Sequence, residues 1–170
     1  VVVAAGAWSA GLLAQVGLRL PVVPVKGQMV MFKARPGTVS RILLKGERYV
    51  IPRRDGRVVV GSTLERAGFD KGITREAREA LVQGALSLLP ALGRYPIERQ
   101  WAGLRPGVEG RGGVPLIGAH PGLRGLYVIT GHFRNGVVMA PASVGLLLDQ
   151  ILGRRPPLDP RPYALDLEKV

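Results

Sequence analysis

Cysteine is absent from this 170-residue chain. That absence excludes disulfides, thiolate metal sites, thiol nucleophiles and any cofactor attached through a cysteine sulfur. Histidine is almost absent too: His120 and His132 are the only two, too few for a histidine-rich metal site, and no metal is expected. Acidic residues are scarce, 12 Asp+Glu against 24 Lys+Arg, leaving a net charge of +12. Such a balance ordinarily points to nucleic acid. Here the basic residues are spread along the chain in nothing longer than the pairs Arg53-Arg54 and Arg154-Arg155, with no aromatic interleaving, so solvated arginines are expected rather than a nucleic-acid face. Long apolar runs are also missing: no stretch approaches eighteen uninterrupted apolar residues, and the opening VVVAAGAW lacks the basic start of a signal peptide. No membrane span or export is expected, and the cytoplasm is the expected location.

What is present is globular: 46% hydrophobic residues over this length suffice for one domain or two lobes sharing a core. VVVAAGAWSAGLLAQVGL reads as an apolar strand turning at Gly6 into a short helix that ends near Gly17. Residues 22–33 read as a strand with alternation at Val25, Gly27, Met29 and Met31. RYVIP and RVVVGS flank Asp55-Gly56, a favoured turn dipeptide, and form the clearest hairpin. TREAREALVQGALSLLPAL begins with Thr74 as N-cap, places Ala77, Leu81, Ala85 and Leu88 on one face and stops at Pro90. IERQWAGLRPGV reads as a strand, GRGGVPLIGAHPGL as a loop with a short apolar island, and GLYVIT as a buried strand. Residues 137–152 read as a long buried helix ended by Gly153.

Strand and helix at both ends, with several strands and one amphipathic helix between them, depart from simple βαβ alternation. The order fits an antiparallel β lobe inserted into another domain. In the middle of the apolar stretch GLYVITGHFRNGVVMAP stands Arg134, with no acid within ten residues. A buried guanidinium needs an anion or several acceptors, so it either faces water from a surface loop or meets a partner from elsewhere in the fold or from a ligand.

AAGAW, PVKGQM, YVIPR followed by DGRVVVGST, WAGLRP, PLIG and GHFRNGVVMAP are, in this order and at these separations, similar to the C-terminal half or more of the D-amino acid oxidase family of flavoproteins, nearest its glycine oxidase branch. The resemblance runs from Val1 to about Leu152. Members of that family open with a strand and GxGxxG, whose glycines admit the pyrophosphate of FAD. This chain has no such element, and GVEGRGG does not fit the spacing. The expected class is therefore α+β: an antiparallel substrate-binding sheet with an amphipathic helix, plus the last strand and helix of an FAD-binding α/β domain whose N-terminal Rossmann part is missing. Expected boundaries are 1–17 for a remnant of the FAD-binding domain, 18–106 for the substrate lobe, 107–155 for the C-terminal part of the FAD-binding domain and 156–170 for a tail.

The resemblance also implies roles. Arg105, held before Pro106 and suited to bidentate pairing, is the main anchor of a substrate carboxylate. Tyr49 donates a phenolic hydrogen bond to the same carboxylate, against the plainer reading of a cross-strand aromatic. Leu64 lines the apolar wall, where simple core packing is the alternative, and Arg134 sits over the flavin near the carboxylate. Gly131, His132, Phe133, Arg134, Asn135, Gly136, Val137 and Val138 face the flavin from a helix N-terminus, and Ala5 and Gly6 form the turn beside it. The implied reaction is oxidative deamination of a small amino acid with non-covalent FAD and O2, needing no nucleophile or metal. A cofactor-free carboxylate-binding or assembly module, or a dehydrogenase with another acceptor, is the alternative. The isolated 170 residues are expected to be colourless, inactive and self-associating through their apolar ends.

Overall fold

Residues 1–165 are described by a computed structural model and fold as two units: Val1–Val25 with the chain from Arg105 onward, and Lys26–Leu104. In chain order the elements are β1 (Val2–Val3), α1 (Ser9–Ala14), β2 (Val22–Phe32), β3 (Leu43–Lys45), β4 (Arg48–Pro52) and β5 (Val58–Gly61). Then come α2 (Arg75–Leu88), β6 (Ile97–Val108), β7 (Leu116–Ala119), β8 (Tyr127–Thr130) and α3 (Gly136–Ile151). A five-stranded sheet has the order β3-β4-β5-β2-β6, and a three-stranded sheet the order β1-β8-β7. The class is α+β, as the sequence indicates.

In residues 26–104 the hairpin sets the sheet. Gly56, at φ +88°, takes the left-handed conformation of the turn, and its N–H donates to the Arg53 carbonyl at 3.0 Å. β4 and β5 then pair antiparallel from Pro52 opposite Val58 to Tyr49 opposite Gly61. Alternation sends Val50, Val58 and Val60 to one face, where they join Val30, Phe32 and the α2 residues Leu81 and Ala85 in a single core. The helix begins where the Thr74 hydroxyl accepts the Ala77 N–H at 3.2 Å.

The phase of β2 differs from a purely apolar reading. Its most buried residues are Lys26, Gln28, Val30 and Phe32, not the set containing Met29 and Met31. Two polar side chains fill core positions because partners distant in sequence satisfy them.

In the other unit β1 runs parallel to β8, with Val2 opposite Tyr127 and Val3 opposite Val128. The island expected within a loop is a strand: β7 pairs antiparallel with β8, Leu116 opposite Thr130. Leu13, Leu20, Val108, Leu116 and Val128 form the core there. The helix expected to be buried is covered only along Ser143, Leu146 and Leu147, while Val137 and Val138 in its first turn are 93% and 85% exposed. After α3 the chain returns to this unit. Arg111 donates to the carbonyls of Pro162 and Ala164, and Leu165 joins the core. Of the expected tail, residues 166–170 lie outside the described residues. Among the described residues no helix is long and apolar enough to cross a membrane.

Candidate functional site

Residues 26–104 contribute Tyr49 and Leu64. Tyr49 lies opposite Gly61, and a Cβ on that glycine would stand 2.5 Å from the Tyr49 hydroxyl oxygen and 2.6 Å from Cζ. The ring therefore lies across Gly61, and the missing side chain is what admits it. Beyond Gly61 the register changes. Met29 is opposite Gly61, whereas Lys26 is opposite Glu65, so three steps along β2 are matched by four on the facing segment. That extra residue is a β-bulge, a device that re-aims side chains.

The re-aiming is visible in the hydrogen bonds. Lys26 and Glu65 exchange both backbone bonds at 2.9 Å, and the Gln28 N–H donates to Thr63 Oγ1 at 2.8 Å. Thr63 and Glu65 thus project to the side of Lys26 and Gln28. Leu64, between them, projects to the opposite side, the one shared by Met29 and Tyr49. Leu64 is 39% exposed. The structure brings these two candidate residues to one face of the sheet.

Behind that face lies a polar cluster with no local sequence signal. The Lys26 ammonium, on a residue 3% exposed, reaches Glu65 at 3.0 Å, Asp70 at 3.2 Å and the Gly72 carbonyl at 3.1 Å. These three acceptors match its three donors. Gln28, fully buried, donates to Glu65 at 3.0 Å and accepts from the Thr74 N–H at 2.9 Å and from Gln100 at 3.1 Å. The hydrogen bond to Glu65 leads the causes that raise the Lys26 pKa. Burial pushes the Glu65 carboxyl upward, but hydrogen bonds from Thr63, Lys26 and Gln28 outweigh it and hold the group below its ordinary value.

The other unit supplies the remaining candidates, and two hydrogen bonds gather them. Thr130, buried at the end of β8, donates its hydroxyl to the Gly6 carbonyl at 3.0 Å, joining the Ala5-Gly6 turn to the loop that starts at Gly131. The Phe133 N–H donates to the Pro106 carbonyl at 3.0 Å, joining the same loop to the residue after Arg105. Gly131, at φ +84°, has no room for a side chain, since a Cβ would run into Val108. Phe133 is left-handed as well, at φ +49°, a conformation uncommon outside glycine. His132 Nε2 lies 2.9 Å from Ser143 Oγ, and burial lowers the His132 pKa, favouring the neutral ring. Arg105 is half-buried on β6, while Arg134 and Asn135 are exposed at the loop's tip. Asn135 places no side-chain cap on α3. The backbone N–H groups of the first turn therefore lack a side-chain acceptor from the N-cap, at a positive helix end where Val137 and Val138 are exposed. Sequence reasoning missed Thr130 and the Pro106 carbonyl as connectors, because nothing in either segment names its distant partner.

The chain thus presents a five-stranded sheet with a polar cluster on one side and, in its other unit, a strand–loop–helix whose first turn carries no side-chain cap. The chain belongs to the DAO family of FAD dependent oxidoreductases, whose model matches residues 1–150. It is 54% identical over 164 residues to the glycine oxidase of Pseudomonas aeruginosa, covering 96% of this chain and 44% of that protein. The crystal structure of glycine oxidase from Geobacillus kaustophilus superposes with a TM-score of 0.92 at 34% identity, over 99% of this chain and 45% of that one. The L-proline dehydrogenase of P. horikoshii gives a TM-score of 0.83 at 25% identity, over 95% of this chain and 46% of that one. The chain thus spans less than half the length of each of these three relatives.

Proposed function

We propose that these residues are the substrate lobe and flavin-edge loop of an FAD-dependent oxidase of glycine or a similarly small amino acid. The observation that carries the reading is the pair of hydrogen bonds, Thr130 to Gly6 and Phe133 to Pro106, which holds the AAG turn, the GHFRNG loop and the arginine of WAGLRP in one neighbourhood. Arg105 clamps the substrate carboxylate, Tyr49 donates to it, Leu64 limits the space beside Cα, and Arg134 closes over the flavin side.

The residues present fit the ring of FAD. Gly6 and Gly131 keep bulk away, and the uncapped amides of Gly136, Val137 and Val138 offer donors with no side chain competing for them. Held without a covalent bond, FAD would supply the two-electron acceptor for oxidising a small amino acid to its imine, with O2 as the final acceptor giving hydrogen peroxide and water completing the change to a 2-oxo acid and ammonia. The chain's own work is orientation. Holding the substrate carboxylate restricts how its Cα hydrogen is presented for reaction. The 170 residues contain no GxGxxG turn for the ADP half of FAD, so purified alone they are colourless and inactive in this account.

The test is Arg105→Leu in the full-length protein. Removing one partner of a desolvated charge pair costs roughly 2 to 5 kcal/mol, so kcat/KM for glycine falls by about two to three powers of ten. Kinetics within about a factor of three of the parent contradict the assignment. A second reading, transfer to an acceptor other than O2, is favoured by the likeness to a protein named a dehydrogenase. Peroxide formed in step with glycine consumed separates the two.

A further inference from the structure

We infer that Lys26 is a positioning residue for substrate selection, acting through the segment 62–74 to hold Leu64 on the Tyr49 face. The inference rests on the functional reading above and extends it to a residue far from any reacting atom. After β5 the chain has no further strand of its own before Thr74. What fixes this stretch is polar. Lys26 takes Glu65, Asp70 and the Gly72 carbonyl at 3.0 to 3.2 Å, and Gln28 takes Glu65 and the Thr74 N–H. Lys26 is thereby the point at which both halves of the segment meet, Glu65 from its start and Asp70 with Gly72 from its end.

Geometry turns this fastening into a choice of side. Thr63 and Glu65 face Lys26 and Gln28, so Leu64 faces Tyr49, where Gly61 leaves space. Without the Lys26 ammonium the bulge is left to the backbone bonds of Lys26 with Glu65 and of Gln28 with Thr63, and with Asp70 and Gly72 released the segment can relax and the alternation slip by one, sending Leu64 to the opposite side. The substrate pocket would then lose the wall that favours the smallest amino acid. Burying an ammonium beside two carboxylates is a poor way to gain stability over apolar packing, and fixing one register is the best-attested use of such a cluster.

The experiment uses full-length protein and compares glycine with D-alanine. Leu64→Ala is the reference, since enlarging the pocket by a side chain shifts the ratio of kcat/KM for the two substrates by about tenfold. Lys26→Met, close in length and without charge, is expected to shift that ratio in the same direction by at least about fivefold, mostly through a lower KM for D-alanine, with bound FAD per chain unchanged. Lys26→Arg restores the charge and returns the ratio toward the parent. A ratio is insensitive to the fraction of folded enzyme, so a merely structural role lowers both activities and leaves it fixed. Leu64→Ala moving the ratio while Lys26→Met holds it within about a factor of two overturns the inference. If Lys26→Met does not fold, Asp70→Asn, which weakens one exposed arm, is expected to give a smaller shift of the same sign, and no shift overturns the inference equally. Should neither Leu64→Ala nor Arg105→Leu alter kinetics, the functional reading fails and this inference falls with it.

Discussion

In residues 26–104 the sheet face carrying Val30, Val50 and Val60 lies under Leu81 and Ala85 of α2, whereas in the other unit α3 buries Ser143, Leu146 and Leu147 and leaves Val137, Val138, Val144 and Leu148 exposed. Fully burying one such apolar side chain contributes about 1.5 to 3 kcal/mol, so the difference is large on the scale of a domain's stability. In residues 26–104 the helix covers one sheet face, although Ile42, Leu44, Phe69 and Ile73 are exposed elsewhere, whereas in the other unit the exposed apolar residues run along α3 itself, beginning at Val137 and Val138 next to the 131–136 loop. Matched glycine substitutions, one in each unit, probe this difference.

Gly131→Ala is expected to have the larger effect on stability. The new Cβ meets Val108 at a position with φ +84°, and strain together with overpacking costs roughly 2 to 4 kcal/mol, read as a lower midpoint in chemical denaturation. Gly61→Ala is its counterpart in residues 26–104. There the obstacle is the Tyr49 ring, whose outer end can swing aside, so the expected change is in function: KM for glycine rises about tenfold while the denaturation midpoint moves little. Equal losses of stability in both variants would erase the distinction. Tyr49→Phe sharpens it further by keeping the ring and removing the hydroxyl, which should weaken substrate binding by about 1 to 2 kcal/mol. A fall in thermal stability with unchanged kinetics would make Tyr49 a packing residue only.

Why some of this was legible in the sequence follows from where each element finds its partners. The hairpin at Asp55-Gly56 and the cap at Thr74 close on residues a few positions away, and both stand in the structure as read. β7 was not legible as a strand, since four residues between Pro115 and His120 show no period, and their hydrogen bonds come from β8. Burial of Lys26 and Gln28 had no local sign because Glu65, Thr74 and Gln100 lie 37 to 72 residues away. For the candidate site, a family likeness named Arg105, Arg134, Tyr49 and Leu64. The bulge that turns Leu64 and the bond from Phe133 to Pro106 became visible only with the fold.

The smallest expected effect is of pH, and it differs between the units. Glu65 and Asp70 are held below their ordinary values, so the stability they contribute is present above the unfolded-state carboxylate range and is lost as pH falls through their folded values. His132 is also lowered, by burial, so its contribution is lost at less acid pH, as pH falls from about 6.5 toward its folded value. Hydrogen exchange followed from neutral to acid pH should therefore show the His132 loop opening before the segment 62–74. The reverse order would contradict the assignment of the two shifts.

The most direct test of the proposed function is the visible spectrum of the full-length protein under anaerobic conditions. A yellow protein is expected, whose oxidised flavin absorbance bleaches when glycine is added and returns when O2 is admitted, with Arg105→Leu requiring far more glycine for the same change. A yellow protein whose spectrum neither glycine nor any small D-amino acid alters would contradict it.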